Sequence, residues 1–123
     1  MKQSHIGIDM IEISRIRQAI ARWGEHFLTR IYNDTELDLY RGKPESLAAR
    51  FAGKEAAMKA LASAGPIGWR DVEILSEPSG KPVVHLHGKA WEKAKALELC
   101  GLEISLSHTR EYAIAIVMGI YNE

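Results

Sequence analysis

The chain has 123 residues, of which 46% are hydrophobic and 26% are charged, with sixteen basic and sixteen acidic side chains. This length and composition predict one globular domain over residues 1–123 and exclude an intrinsically disordered chain. The formal net charge of zero provides no broad positive field, so neither nucleic acid nor an anionic membrane is expected as a partner.

The first predicted element is a strand from about Ser4 to Met10. Its residues alternate in character, which is typical of a half-buried strand, and one face is apolar: Ile6, Ile8 and Met10. Asp9 lies near the end of this strand, where Gly7 leaves room for a ligand, but capping of the next helix explains Asp9 equally well. Because Asp9 and Glu12 interrupt this apolar run, no signal peptide or membrane span is expected, and a cytosolic protein is predicted.

A helix is predicted from Ile11 to about Trp23. Arg15 and Arg22 share one of its faces, and a different stripe is apolar: Ile13, Ile16, Ile20 and Trp23. Two short helical segments follow in "EHFLTRIY" and "DTELDLY", and the second is expected to begin with Asp34 or Thr35 as its cap.

A long helix is predicted from Ser46 to about Ser63, where "AGPIG" ends it. Lys54 falls inside its apolar stripe, Glu55 borders that stripe, and Lys59 lies one turn beyond Glu55. The opposite side consists of small residues that allow another backbone to come close: Ala49, Ala52, Gly53, Ala56, Ala57 and Ala60. Neither side is typical of solvated surface.

These charges have two interpretations. Glu55 and Lys59 have the spacing of a simple i,i+4 ion pair, which stabilises an isolated helix by about 0.2–0.5 kcal/mol. Alternatively, a carboxylate beside two ammonium groups suits a metal-bound polyphosphate, with the carboxylate on the metal and Lys54 and Lys59 on phosphate oxygens. The second interpretation requires another carboxylate, for which Asp9 is the candidate.

The last third of the chain predicts four strands and one helix. "DVEIL" and "VVHLH" flank the turn "EPSGKP" and predict a hairpin, and "GKAWEKAKALELCG" predicts a helix. The strands "LEISLSH" and "EYAIAIVMGIY" follow, and the second is apolar enough to be central and well covered. This order favours an α+β domain with a long helix and shorter helices packed on a mainly antiparallel sheet.

The cysteine and one pair of histidines suggest metal chemistry only weakly. Cys100 is the single cysteine, so it has neither a disulfide partner nor a zinc cluster and is expected to be a small buried residue. His85 and His87 share one face of a strand, but no third ligand has convincing spacing. A surface histidine pair is therefore predicted.

Three segments together resemble a known family: "GIDMIEISR" (7–15), "RFAGKEAAMKA" (50–60) and "SLSHTREYA" (105–113). In this order and spacing they resemble the 4'-phosphopantetheinyl transferases, specifically the small bacterial holo-[acyl-carrier-protein] synthases. The resemblance covers the whole chain. It implies the fold of that family and transfer of 4'-phosphopantetheine from coenzyme A to a serine hydroxyl of apo acyl carrier protein, with release of adenosine 3',5'-bisphosphate.

Carried over by position, the resemblance implies that Asp9 and Glu55 are ligands of Mg²⁺ and that Lys59 lies close to the transferred phosphate. Glu55 is also the candidate base for the serine, directly or through a metal-bound water. His108 and Ser107 are implied as contacts of the phosphates of the coenzyme, although a plain turn between two strands explains "SHTRE" equally well.

The resemblance also implies a place for the nucleotide and for two protein partners. The turn "SGKP" (79–82) is expected near the nucleotide end of coenzyme A, with Lys81 or Arg50 at the 3'-phosphate. A homotrimer is implied, with each active site between neighbouring subunits. Because acyl carrier proteins are acidic around the modified serine, Arg15 and Arg22 are expected to dock the carrier; a solvated helix face is the alternative.

Two other functions use the same residues. A small metal-dependent nucleotide pyrophosphohydrolase would use water as the nucleophile, but such enzymes favour dense carboxylate clusters, and Glu55 stands alone in the predicted long helix. A non-catalytic coenzyme A binding module is the third possibility. The presence of Asp9, Glu55 and Lys59 together argues against it.

Overall fold

The computed structural model describes residues 3–62 and 67–122. A three-stranded antiparallel sheet has the order β1 (Ile6–Glu12), β5 (Tyr112–Tyr121), β4 (Leu99–His108), and a separate hairpin pairs β2 (Val72–Ser76) with β3 (Pro82–Leu86). The helices are α1 (Ile13–Trp23), α2 (Glu25–Ile31), α3 (Asp34–Tyr40), α4 (Pro44–Ala60) and α5 (Gly88–Ala96). The predicted α+β class is therefore confirmed. None of the helices in these ranges is long and apolar enough to cross a membrane.

Helix α4 lies on one face of the sheet, against β1 and β5. Its small residues make this possible, as predicted: Ala52, Ala56 and Ala60 are buried. At the closest approach, a Cβ on Gly7 would lie 1.8 Å from the carbonyl oxygen of Ala56, so only glycine fits there. The close packing of β1 on α4 fixes Asp9, two residues after Gly7, beside the helix.

A second buried cluster joins α1, α2 and α3 to the first half of α4. It contains Ile13, Ile16, Leu28, Ile31, Tyr32, Leu37, Leu47 and Ala48. The predicted apolar stripe of α1 is correct for Ile13 and Ile16 but wrong for Trp23, whose side chain is 54% exposed. Trp23 is the last residue of α1, where the chain turns at Gly24, and its ring lies against the Arg22 guanidinium.

Several predicted helix ends are corrected by the structure. Helix α4 begins at Pro44 rather than Ser46, because proline suits the first turn of a helix. It ends at Ala60, and the predicted end near Ser63 lies outside the described residues. The cap of α3 is Asn33 rather than Asp34 or Thr35, because the Asn33 side chain and the side chain of Glu36 each accept a hydrogen bond from the other's backbone N–H.

The final helix is shorter than the sequence predicts. Helix α5 ends at Ala96, and the residues "LC" at its predicted end begin β4 instead. Side chains alternate along a strand, so the burial of Leu99 turns Cys100 to the other side. Cys100 is exposed, and the prediction of a buried cysteine is wrong.

The face of the sheet opposite α4 carries large apolar side chains that are exposed to solvent. We call it the apolar face; it comprises Ile6, Ile8, Met10, Ile114, Ile116 and Met118, which are 36–60% exposed. The predicted alternation of β1 is correct, but the side that packs on α4 is the Gly7 and Asp9 side. Strand β5 is central, as predicted, but the described part of the chain covers only one of its faces.

Candidate active site

Strand β1 and helix α4 bring together the three residues that the sequence selected, here called the Asp9 cluster: Asp9, Glu55 and Lys59. The Lys59 Nζ lies 3.2 Å from Asp9 Oδ1 and donates to the carbonyl oxygen of Ile8 at 2.9 Å. Lys59 is therefore anchored to the neighbouring strand, an arrangement that the simple i,i+4 pairing with Glu55 does not require.

The environment of Glu55 disfavours its charged form. Partial burial raises the pKa of the Glu55 carboxyl, the nearby Asp9 carboxylate raises this pKa further, and Lys59 opposes both effects. Two carboxylates that repel each other at a partly open site form a set of oxygen donors that a hard divalent cation would stabilise. Within residues 3–62 and 67–122, no group of three or more histidine, cysteine, aspartate and glutamate side chains is arranged to hold a metal. A cation here would therefore need additional oxygen ligands from substrate or water.

Lys54 has a different role from Lys59. Its side chain is fully buried and makes an ion pair of 2.8 Å with Glu36, which is equally buried. Burial lowers the pKa of Lys54, and Glu36 opposes this shift. The prediction that Lys54 meets phosphate oxygens is wrong, because this ammonium group has no accessible surface. Sequence reasoning missed Glu36, whose spacing from Asn33 signals only a capping box.

On the other flank of α4, the hairpin forms a cleft of about 200 Å³. This hairpin cleft is lined by Glu45, Ser46, Ala49, Arg50, Ser76, Gly80, Pro82, Leu106 and His108. Arg50 is largely buried and stacks on the Tyr40 ring, with 3.5 Å between the guanidinium carbon and the ring centroid. It donates from Nε to the Ile74 carbonyl oxygen at 2.9 Å and from a terminal nitrogen to Ser76 Oγ at 3.0 Å. Its other terminal nitrogen donates to the Ser46 carbonyl oxygen at 3.3 Å, so at most two of the five guanidinium N–H groups remain for an anionic ligand.

The predicted coenzyme contacts divide between two places. His108 and Arg50 both line the hairpin cleft. Lys81 is exposed in the β2–β3 turn, between the lining residues Gly80 and Pro82. Ser107 precedes His108 on β4 and so points to the opposite face, where its register partner is Ile114 of the apolar face. Ser107 and His108 thus do not face the same ligand within one chain.

The Asp9 cluster and the hairpin cleft lie on opposite flanks of α4. Residues of a helix are about 100° apart, which puts Glu55 and Lys59 on one side of the sheet-facing alanines and Arg50 on the other. The contacts agree, because Lys59 reaches β1 at one edge of the sheet, whereas Arg50 reaches β2 beyond the other edge. A ligand that touches both sites must therefore pass around the helix or be shared between two chains.

The arginines of α1 differ in their environment. Arg15 and Arg22 are exposed on the side away from the buried stripe. Arg17 pairs with Glu45 of α4 at 2.5 Å. Glu45 also corrects the prediction that Glu55 is the lone carboxylate of the long helix, since α4 starts two residues earlier than expected. Its pairing with Arg17 keeps it apart from a carboxylate cluster.

The histidine pair lies outside these sites. His85 and His87 are both exposed on the hairpin, and His87 Nε2 lies 3.3 Å from Glu73 Oε1. With Trp91 and Cys100 they line a separate open groove.

The known proteins to which this chain is similar agree with the family resemblance of its sequence. A family model described as the 4'-phosphopantetheinyl transferase superfamily matches residues 5–117. A holo-[acyl-carrier-protein] synthase of Dehalococcoides mccartyi is 51% identical over 115 residues, which cover 94% of this chain and 97% of that protein. One of Herpetosiphon aurantiacus is 42% identical over 122 residues, covering 93% and 96%.

Solved structures of such synthases have the same fold. The synthase of Helicobacter pylori in complex with coenzyme A is 34% identical and superposes with a TM-score of 0.83 over 93% of this chain and 98% of that chain. The synthase of Neisseria meningitidis is 30% identical and also superposes with a TM-score of 0.83, over 94% and 96%.

Proposed function

The chain belongs to the 4'-phosphopantetheinyl transferase superfamily, and from this premise we propose that it transfers 4'-phosphopantetheine from coenzyme A to a serine hydroxyl of an apo acyl carrier protein. The observation that carries the proposal is the Asp9 cluster, in which two carboxylates and a lysine from β1 and α4 meet at a partly open site. The relatives named as holo-[acyl-carrier-protein] synthases, and the H. pylori synthase bound to coenzyme A, support the two substrates.

Asp9 and Glu55 would hold Mg²⁺, whose ligand preference their oxygens match. When bound, the cation neutralises charge on the pyrophosphate of coenzyme A. Lys59 adds a fixed positive charge on the same side, held in place by its hydrogen bonds to β1. The serine oxygen bonds to the phosphorus that carries pantetheine, the pyrophosphate bond breaks, and adenosine 3',5'-bisphosphate leaves.

The serine must lose a proton as it attacks, and Glu55 is our candidate to accept it. Its carboxylate belongs to the Asp9 cluster, where the pyrophosphate would be attacked, so it can accept this proton directly or through a water molecule. His108 lies instead in the hairpin cleft, on the other flank of α4.

We assign the nucleotide end of coenzyme A to the hairpin cleft. Arg50 offers N–H groups to a phosphate there, His108 lines the same cleft, and Lys81 at the turn adds positive charge at its rim. Because the Asp9 cluster is on the opposite flank of α4, we propose that each active site combines the Asp9 cluster of one subunit with the hairpin cleft of a neighbour.

A homotrimer joined through the apolar face supplies that arrangement. Contiguous large apolar side chains on a sheet face are typical of an interface, and a second copy of this chain is the occupant that we propose. Ser107 lies beside Ile114 of this face, so association would bring it to a subunit boundary, near the coenzyme of a neighbour. The carrier would dock on Arg15 and Arg22 of α1, whose positive charges complement an acidic partner. Because the expected substrates are soluble, we place the enzyme in the cytosol.

The proposed reaction is tested by incubating the protein with coenzyme A, Mg²⁺ and an apo acyl carrier protein and measuring the intact mass of the carrier. We expect a gain of one phosphopantetheine arm, and no gain for a carrier whose modified serine is replaced by alanine. Cleavage of coenzyme A without carrier modification would instead indicate a pyrophosphohydrolase. Bound but intact coenzyme A would indicate a binding module, and either result would contradict the proposal.

A further inference from the structure

The outer edge of β2 is completed by side chains instead of by another strand. Strand β2 pairs with β3 on one side only. On its other side, the Ile74 N–H donates to Glu36 Oε2 at 2.9 Å and the Ile74 carbonyl oxygen accepts from Arg50 Nε at 2.9 Å. The Val72 carbonyl oxygen accepts from Lys54 Nζ at 2.5 Å. Three charged side chains from α3 and α4 thus satisfy backbone groups that an unpaired edge leaves open.

Two of these three side chains form the buried ion pair. Glu36 and Lys54 are fully buried and lie 2.8 Å apart, and Lys54 also donates to the Trp69 carbonyl oxygen at 3.0 Å. Glu36 Oε1 accepts a further hydrogen bond from the Asn33 N–H at 2.9 Å. With Ile74 on the second carboxylate oxygen, the lysine protons and both glutamate oxygens are engaged. A buried pair of this kind contributes little net stability, because desolvation offsets its attraction, so its geometric effect matters more.

That geometry reaches the hairpin cleft through Arg50. Arg50 and Lys54 are one turn apart on the same flank of α4, and Ile74 is held between Glu36 on its N–H and Arg50 on its carbonyl. Ser76, two residues further along β2, accepts a hydrogen bond from Arg50 and lines the cleft. The position of β2 against α4 therefore sets both the orientation of the guanidinium group and one wall of the cleft.

We propose that Glu36 and Lys54 are positioning residues for coenzyme binding: the buried pair fixes β2 against α4 and thereby holds Arg50 and the hairpin cleft ready for the nucleotide end of coenzyme A. This inference rests on the proposed function. Glu36 and Lys54 touch neither the coenzyme nor the Asp9 cluster, so they act through Arg50 and the cleft wall.

The test replaces both partners, Glu36→Gln with Lys54→Met, because removing one would leave a buried charge unpaired. We expect KM and Kd for coenzyme A to rise about tenfold, which corresponds to the loss of one hydrogen bond to a charged group. The kcat of the folded enzyme should change by less than about twofold. A second variant, Glu36→Asp, keeps the charge and shortens the side chain; it should raise KM less. It serves as the test if the double variant does not fold.

The matched control is Leu99→Ala. Leu99 is buried at the opposite end of β4 from His108, so its truncation lowers stability without touching the cleft. A purely structural role predicts that the double variant behaves like this control, with less folded protein and an unchanged KM, and that result would overturn the inference.

Coupling to Arg50 provides the second readout. Because the pair acts through Arg50, Arg50→Ala should raise KM for coenzyme A much less in the double variant than in the wild type. Independent, multiplicative effects would refute the positioning role. Wild-type protein that does not bind coenzyme A would overturn the proposed function and this inference together, whereas wild-type binding with an unaltered KM in the double variant overturns the inference alone.

Discussion

Glu55 carries a conflict between stability and function at the scale of a single residue. Its carboxyl is partly buried beside Asp9, and these two effects raise its pKa. In the folded protein Glu55 therefore binds its proton more tightly than in the unfolded chain. The stability of the metal-free protein accordingly falls as the pH rises from the ordinary glutamate value through the raised pKa. A bound cation would remove this penalty.

The first prediction is that Glu55→Gln raises the melting temperature of metal-free protein by a few degrees at neutral pH. The difference should shrink as the pH falls through the raised pKa of Glu55 and be lost below the ordinary glutamate value of about 4, where the carboxyl is neutral in both states. Thermal melts across this range with and without Mg²⁺ check it. In the proposed site, Mg²⁺ should stabilise the wild type more than the variant. A variant that is less stable at neutral pH would mean that Glu55 is a structural group.

Lys59 is the positive member of the Asp9 cluster, and Lys59→Met keeps much of its stem while deleting the charge. Loss of a contact made only in the transition state should lower kcat and kcat/KM together, about a hundredfold for one preorganised donor. Steady-state kinetics with varied coenzyme A measure both constants. An unchanged kcat with a raised KM would reduce Lys59 to a binding contact.

The roles of the charges on α4 are only partly predictable from the sequence, for a physical reason. Glu55 and Lys59 attract attention because their setting on α4 is not typical of solvated surface, and Asp9 is the second carboxylate that a metal would need; the structure brings the three together. Lys54 is grouped with them in the sequence because its partner, Glu36, is eighteen residues away and carries no sequence signal of an ion pair with α4. Periodicity shows which side of a helix a charge occupies but not which distant side chain meets it.

At the scale of elements, α4 separates two chemistries. The flank toward β1 holds Glu55 and Lys59, and the flank toward the hairpin holds Arg50 and Lys54. The small residues between them let the helix lie close to the sheet. Helix α1 adds a third surface, because it begins directly after β1 and presents Arg15 and Arg22 to solvent.

The third prediction concerns docking on α1. Arg15→Glu with Arg22→Glu should raise KM for the carrier about tenfold or more, weaken the loss of activity in added salt, and leave KM for coenzyme A unchanged. A matched control, Lys89→Glu with Lys95→Glu, makes the same change in net charge on α5. Equal effects from both pairs would point to overall charge, and unaltered carrier kinetics would remove α1 from the interface.

In the sheet, the alternation of side chains predicts the strands but not which of their faces is buried. Alternation along β1 and the order of the last two strands were predictable, because period two is a property of the strand itself. Which face meets α4 was not, because the apolar side of β1 is the exposed one in a single chain. The face is set by Gly7, which lets the backbone of α4 pack directly against β1. This contact is with Ala56 and Ala60, about fifty positions away in the sequence.

At the scale of the molecule, the apolar face is the feature on which the proposed homotrimer rests. Its six side chains lie on neighbouring strands β1 and β5, where the register puts Ile8 opposite Ile116 and Ile6 opposite Met118. Such contiguous apolar area is uncommon on a monomeric protein. That residues 1–123 form a single folding unit stays a prediction, and burial of this face between copies would add to its stability.

The fourth prediction is that Ile116→Asp converts the proposed trimer to a monomer and abolishes transfer, because charges would face each other in an apolar interface. Sedimentation velocity measures the oligomeric state, and circular dichroism checks that the monomer is folded. Leu39→Asp on α3 is the control, since Leu39 is also exposed but lies off the sheet. A fully active Ile116→Asp monomer would contradict an active site shared between subunits.

The central claim, a transferase whose active sites each combine two subunits, is tested most directly by complementation. Glu55→Ala removes a carboxylate of the Asp9 cluster, and Arg50→Ala weakens coenzyme A binding in the hairpin cleft. At a coenzyme A concentration well below the wild-type KM, each variant alone should therefore transfer at only a small fraction of the wild-type rate. Coexpressed in equal amounts with different affinity tags and purified through both tags, the mixed trimers should modify the carrier at about a third of the wild-type rate, because each mixed trimer has one complete site out of three. Mixed oligomers as inactive as their parents would contradict the claim.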